Sequence, residues 1–230
     1  MKALSLLAVA VALVVAGCDT GSDPGGEKVA FTTADNVQLS GHLFGEGDVG
    51  VVLSHMRPAD QESWWPFARV LKDRGYLALA FDFRGYGDSG GELQIEQLDM
   101  DVEAAVDYLL ARGASKVFLI GASMGGTASL KAASRRDVAG VITLSAHPSL
   151  DGLDAREDLK QVTAPKLLIA ARDDTNGFYA RSVALLDQTS PEPGEKQIVD
   201  GSAHGTDMLS GGSGPRVQGL MVDFLKRYRE

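Results

Sequence analysis

Lys116-Val117-Phe118-Leu119-Ile120-Gly121-Ala122-Ser123-Met124-Gly125-Gly126-Thr127-Ala128 is the stretch on which the reading of this chain turns. Residues 116–121 read as a buried strand, and the small residues after it lead directly into a helical pattern over 124–134. The spacing Gly121-x-Ser123-x-Gly125 falls on the junction. A turn that sharp strains the serine backbone and holds its hydroxyl proud of the sheet, while glycines two residues to either side let the turn pack. The helix N-terminus adds a favourable dipole where negative charge could develop. A bare G-x-S-x-G is a weak pattern; the strand before it and the helix after it make it specific. Ser123 is therefore the candidate nucleophile.

Working outward, Val49–Ser54 and residues 76–83 are continuous apolar runs, as strands buried on both faces should be. Residues 61–74 place Trp65, Ala68, Val70 and Leu71 at helical spacing and stop at Gly75. Residues 96–111 form an amphipathic pattern through Leu98, Val102, Val106 and Leu109. Residues 29–33 and 37–44, joined across Asp35-Asn36, read as an antiparallel hairpin. Further on, strands are expected over 138–145, Lys166–Ala171 and 196–199, with helices over 178–186 and 217–229. This alternation predicts an α/β fold, a three-layer α/β/α sandwich around a mostly parallel sheet. On such sheets ligands bind beyond the carboxyl ends of the strands, so the chemistry belongs to the loops that follow them.

An acyl-transfer serine needs a histidine to take its proton and a carboxylate to orient that histidine. In this architecture the chain order is serine, carboxylate, histidine. The strand Lys166–Ala171 runs into Arg172-Asp173-Asp174, and chemistry alone does not separate the two aspartates. Residues 196–199 are followed by Asp200-Gly201-Ser202-Ala203-His204-Gly205, which makes His204 the candidate base. His147 precedes both aspartates and breaks the order, so it is a candidate only for lining the pocket. His42 lies inside the early hairpin and reads as structural. The histidines show no metal-binding spacing and Cys18 is the only cysteine, so neither a metal nor a cofactor is expected.

Together, Ser54-His55-Met56, the run Phe81-Asp82-Phe83-Arg84-Gly85-Tyr86-Gly87-Asp88-Ser89-Gly90, the turn at Ser123, Asp174 and His204-Gly205 resemble the α/β-hydrolase superfamily. The similarity covers about residues 37–228 and is nearest the lidless esterase and dienelactone-hydrolase-like branches. It implies Asp174 as the acid, because Ala171-Arg172-Asp173-Asp174 matches the family's small-x-x-Asp. It also implies an oxyanion hole made by the backbone N–H groups of Met56 and Met124. Where most relatives have His-Gly this chain has His55-Met56, which puts a flexible apolar side chain at the pocket mouth. His55 then reads as the residue that holds the loop, and Asp82 and Arg84 as structural. Dienelactone hydrolases carry a cysteine nucleophile, so a serine here points to ordinary ester hydrolysis. Many relatives insert a helical cap where this chain has only residues 147–165, so an open site with little or no cap is expected. Trp64 and Trp65 start the helix after the oxyanion loop and are candidates for core packing and for pocket lining alike.

The formal net charge of −9 lacks the basic footprint that phosphate backbones require, so no nucleic-acid partner is expected. Residues 1–17 carry Lys2, an apolar run over 3–16 broken only by Ser5, and then Gly17, the pattern of a signal peptide. Val15-Ala16-Gly17-Cys18 resembles the bacterial lipobox, which implies cleavage before Cys18 and fatty acylation there, for example with palmitate. The chain then divides into a leader at 1–17, a tether at 18–28 and a catalytic domain at 29–230. Asp19 resembles an inner-membrane retention signal. The expected location is the bacterial cell envelope, at the periplasmic face of the inner membrane or the cell surface, as a lipid-anchored monomer.

The expected activity is that of a serine hydrolase cleaving a carboxylic ester of a small or short-acyl substrate through an acyl-Ser123 intermediate. Two other readings stand beside it. One is a serine peptidase or amidase of the same fold, which no gating domain accompanies here. The other is a non-enzymatic lipoprotein that keeps the fold for binding, against which stands the complete Ser–Asp–His set.

Overall fold

Continuous apolar runs fill the middle of the sheet, because only strands covered on both faces can bury every side chain. The computed structural model describes residues 25–189, 191 and 194–230. β1 (Glu27–Thr32) and β2 (Gln38–Phe44) pair antiparallel across a turn in which Asn36 takes the left-handed conformation. There follow β3 (Val49–Ser54), α1 (Trp65–Lys72), β4 (Leu77–Phe81), α2 (Leu98–Ala111), β5 (Lys116–Ala122), α3 (Met124–Ala133) and β6 (Gly140–Leu144). Two short strands, β7 (Ser149–Leu150) and β8 (Leu153–Asp154), form a small hairpin of their own. The chain continues through β9 (Lys166–Ala171), α4 (Phe178–Thr189), β10 (Glu195–Val199) and α5 (Gly214–Tyr228).

The eight-stranded sheet runs β1-β2-β4-β3-β5-β6-β9-β10, parallel from β4 to β10. The two-residue period of each strand divides the core. Val52, Leu79, Leu119, Val141 and Leu168 cluster with the apolar residues of α2, α3 and α4. Their neighbours Val51, Leu53, Ala78, Phe118, Ile120, Ile142 and Ile169 cluster with those of α1 and α5. This is the mostly parallel three-layer sandwich that the strand–helix alternation predicts. Each fully buried Leu, Ile or Phe contributes about 1.5–3 kcal/mol, so the two layers hold the sheet firmly from both sides.

The differences from expectation lie at element ends. Glu27 and Lys28 belong to β1, paired with Leu43 and His42, and not to the tether. The helix expected over 61–74 opens with a 3-10 turn, Gln61–Trp64, because the Asp60 carboxylate caps the Glu62 N–H; α1 then starts with Pro66 in its first turn. Residues 147–165 hold only the β7–β8 hairpin and the 3-10 turn Asp158–Gln161, so the cap is minimal. The leader, Cys18 and the tether up to residue 24 lie outside the described residues. Among the described residues no helix is long and apolar enough to cross a membrane.

The sheet order reverses beside β3: β4 lies on one side of it and β5 on the other. Such a switch opens a crevice past the carboxyl ends of the two strands. The loop beginning at His55 and the turn at Ser123 meet in that crevice.

Candidate active site

Ser123 sits at the N-terminus of α3 with φ 48° and ψ −114°, a conformation that costs a non-glycine residue about 1–3 kcal/mol. Its surroundings hold it there. Its N–H donates to the Leu144 carbonyl at 2.7 Å, and its own carbonyl accepts from the Thr127 N–H at 3.1 Å. A Cβ on Gly121 would overlap the Gly125 carbonyl, and one on Gly125 would overlap the carbonyls of Ser54 and His55. The turn thus presses the first turn of α3 against the end of β3, and only glycine fits at both places.

Past the end of β9 the two aspartates part company. Asp173 is exposed, while Asp174 is buried. Asp174 Oδ2 accepts from His204 Nδ1 at 2.8 Å and from Ser145 Oγ at 2.7 Å, and its Oδ1 accepts from Thr175 Oγ1 at 3.1 Å. The carboxylate partner places the imidazole proton on Nδ1, which leaves the Nε2 lone pair available. Among the described residues nothing bonds to Nε2, and the His204 side chain keeps 27% of its surface exposed. Gly205, at φ 52°, donates its N–H to Ser145 Oγ at 3.2 Å. A Cβ there would meet Met56 Sδ at 2.5 Å and Ala122 Cβ at 3.3 Å. The His204 loop is therefore seated between the residue preceding Ser123 and the loop after β3.

The backbone N–H groups of Met56 and Met124 have no acceptor among the described residues. Met124 N–H is one of the free donors that every helix N-terminus presents. The Met56 side chain, expected at the pocket mouth, is instead buried against Gly205, because the missing Cβ leaves room for its sulfur. His55 is fully buried. Its Nε2 accepts from the Phe83 N–H at 3.1 Å, so Nδ1 carries the proton and donates to the Met56 carbonyl at 2.9 Å. Burial pushes its pKa down, and it stays neutral while it pins the Met56 peptide. Asp82 accepts from Gln61 N and Nε2 at 3.0 and 2.7 Å and from the Asp88 N–H at 3.1 Å. Arg84 pairs with Asp101 at 2.7 Å and with Asp35 at 2.8 Å. Both spend their polar atoms on holding loops.

Trp64 and Trp65 are part of the core. Trp64 is fully buried against Phe67, and Trp65 meets the edge of His42 at 5.1 Å. Both belong to the apolar stripe that α1 and its opening turn press onto the sheet, so Trp64 has no surface to offer a ligand. His147 is half-buried; its carbonyl accepts from Thr127 Oγ1 at 2.7 Å and its ring lies flat on Phe178 at 4.8 Å. Phe178 meets Tyr179 edge-on at 5.0 Å, and the Tyr179 ring lies 4.4 Å from that of His204.

Four residues near this site, Ser145, Phe178, Tyr179 and Arg57, carry no assignment from the sequence. Ser145, buried at φ 53°, bridges Asp174 to Gly205, and no local pattern distinguishes it from any other serine at a strand end. Phe178 and Tyr179 were legible in principle, since a helix that begins four residues after Asp174 sets its first side chains near that carboxylate. Arg57 pairs with Asp151 at 2.8 Å, which ties the loop after β3 to the β7–β8 hairpin. Among the described residues no cluster of side chains could hold a metal ion.

Residues 51–164 match the family model of the alpha/beta hydrolase fold. An uncharacterized protein of Mycobacterium tuberculosis, Rv2307c, is 25% identical over 89% of this chain and 79% of its own length. The uncharacterized protein YfhR of Salmonella typhi is 32% identical over 46% of this chain and 40% of its own. Among solved structures, the Pyrococcus furiosus esterase Pf2001 superposes with a TM-score of 0.78 at 21% identity, over 89% of this chain and 93% of that one. A malate-bound esterase from Thermogutta terrifontis gives 0.72 at 18% identity, over 89% of this chain and all of that one. Likeness at such identities speaks for the fold. The chain has the α/β-hydrolase fold, and its residues 51–164 match the model of that family.

Proposed function

We propose that this protein is a serine hydrolase that cleaves carboxylic esters of small or short-acyl substrates, with Ser123 as nucleophile, His204 as base and Asp174 as the acid that orients it. The observation that carries the reading is a histidine held at 2.8 Å by a buried carboxylate, with its second nitrogen unclaimed, on a loop packed beside a strained serine. Ser123 Oγ attacks the ester carbonyl carbon as its proton passes to His204 Nε2. The carbonyl oxygen, now an oxyanion, accepts hydrogen bonds from Met56 and Met124 N–H, each worth about 10²–10³ in rate. The tetrahedral intermediate collapses, the carbon–oxygen bond to the alcohol breaks, and the departing oxygen takes the proton from the imidazolium. Water then attacks acyl-Ser123 with His204 again as base, which releases the carboxylic acid and restores the serine. Asp174 stabilises the imidazolium in both halves. The neighbours named as esterases and the minimal cap support the choice of a small ester.

A fluorophosphonate probe together with p-nitrophenyl acetate tests the reading. Wild type should be labelled and turn over; Ser123→Ala should fold, escape labelling and retain only about 10³-fold catalysis over water. An unlabelled wild type, or a variant with wild-type turnover, overturns it. We also propose that Cys18 is acylated and anchors the protein in the bacterial envelope, which resting on sequence alone calls for fatty-acid labelling of wild type and Cys18→Ser. Label in both, or in neither, counts against the anchor.

A further inference from the structure

We infer that the preferred ester carries a planar apolar alcohol, such as a benzyl group, seated on a wall of aromatic rings beside His204. The inference rests on the ester-hydrolase reading above. Four rings run in sequence from the nucleophile's helix to the base. The His147 carbonyl is held by Thr127, one helical turn from Ser123, and the His147 ring stacks on Phe178 at 15°. Phe178 stands perpendicular to Tyr179, and Tyr179 lies against His204. Phe178 is 39% exposed and is the one aromatic residue among the exposed large hydrophobics of the described residues. The row presents ring faces and edges, a surface that favours flat apolar groups through offset stacking and edge contacts.

The side of the site on which the wall stands decides which half of an ester meets it. His204 delivers its proton to the departing oxygen, so that oxygen must lie within hydrogen-bond reach of Nε2. The residue after His204, Gly205, packs on the Met56 sulfur, and the His204 ring itself meets Tyr179 and, beyond that, Phe178. The alcohol, carried by the oxygen that His204 protonates, is therefore the half of the ester nearest the aromatic row. The acyl chain then lies away from the wall.

Three esters read this out with the purified full-length chain: ethyl acetate, benzyl acetate, which changes only the alcohol, and ethyl phenylacetate, which changes only the acyl group. The ratio of kcat/KM for benzyl acetate over ethyl acetate should be about tenfold in wild type. It should fall about fivefold in Phe178→Ala and in Phe178→Leu, which keeps bulk without a ring, and persist in Phe178→Trp. Either leucine or alanine suffices if the other fails to fold. A wild-type ratio near one, a ratio unmoved by loss of the Phe178 ring, or a preference that follows phenylacetate overturns the wall while leaving ester hydrolysis in place. A wild type that cleaves none of the three and takes no fluorophosphonate label removes the functional reading, and this inference with it.

Discussion

His55 and His204 both follow a strand's carboxyl end and both border the crevice at Ser123, yet their surroundings differ sharply. Each nitrogen of His55 is bound to backbone, one accepting from Phe83 and the other donating to Met56, and no part of the ring reaches solvent. Such a ring has no site left to gain a proton without breaking a bond, and burial penalises the charge as well. His204 has one nitrogen on the Asp174 carboxylate and the other open. A proton arriving at Nε2 creates a positive charge, and that charge already has its counter-ion. The lesson is that a histidine's partners, more than its place near a serine, decide whether its ring is fully bonded or keeps a nitrogen open.

The sharpest way to break the comparison is to change the partner. Asp174→Asn should present an amide N–H to Nδ1, move the imidazole proton to Nε2 and lower kcat by about 10⁴. Asp173→Asn, at an exposed position, should leave kcat within a few-fold. Steady-state kinetics of the two variants on p-nitrophenyl acetate compare them directly, and the reverse ranking would move the acid to Asp173.

A smaller effect sharpens the account of how Asp174 is held. Ser145 donates to the same carboxylate oxygen that His204 uses, and it also receives the Gly205 N–H. Hydrogen bonds to charged groups are worth about 1.5–3 kcal/mol, so Ser145→Ala should lower kcat on the order of tenfold with KM nearly unchanged. A lowered Tm with unmoved kcat would leave Ser145 a packing residue only.

The smallest effect tests the clamp. His55 is neutral in the fold because burial holds its pKa below the usual 6.5. Below that pH the unfolded chain binds a proton that the folded one refuses. Stability is therefore complete above about 6.5 and is lost as the pH falls toward the lower folded value. His55→Gln removes this one contribution. Between pH 7 and pH 5 its Tm should fall by a few degrees less than that of wild type, measured by circular dichroism. Parallel slopes would contradict the neutral, fully bonded ring.

The outcomes for individual residues show where sequence reasoning reaches. Trp64 and Trp65 fit a pocket as well as a core on composition, and only the face that α1 turns to the sheet decides between them. Met56 was expected at the pocket mouth, but the space above Gly205, far away in the chain, draws its side chain inward. Ser145 carries no local signal at all, since its partners come from two other loops.

By itself the sequence determined the strands, their mostly parallel sheet and the turn that presents Ser123, because apolar period and glycine spacing are local properties that act on the chain where they stand. The same local reading marked Asp173-Asp174 and His204 as acid and base candidates from their places after strands. Only the tertiary structure decided that Asp174 bonds His204, that Ser145 joins them, and that Phe178 and Tyr179 line the way from Ser123's helix to His204. Those are contacts between loops distant in sequence. Their geometry depends on how far each strand carries its end and which way the last side chain points, and a one-residue change there turns a buried carboxylate into an exposed one.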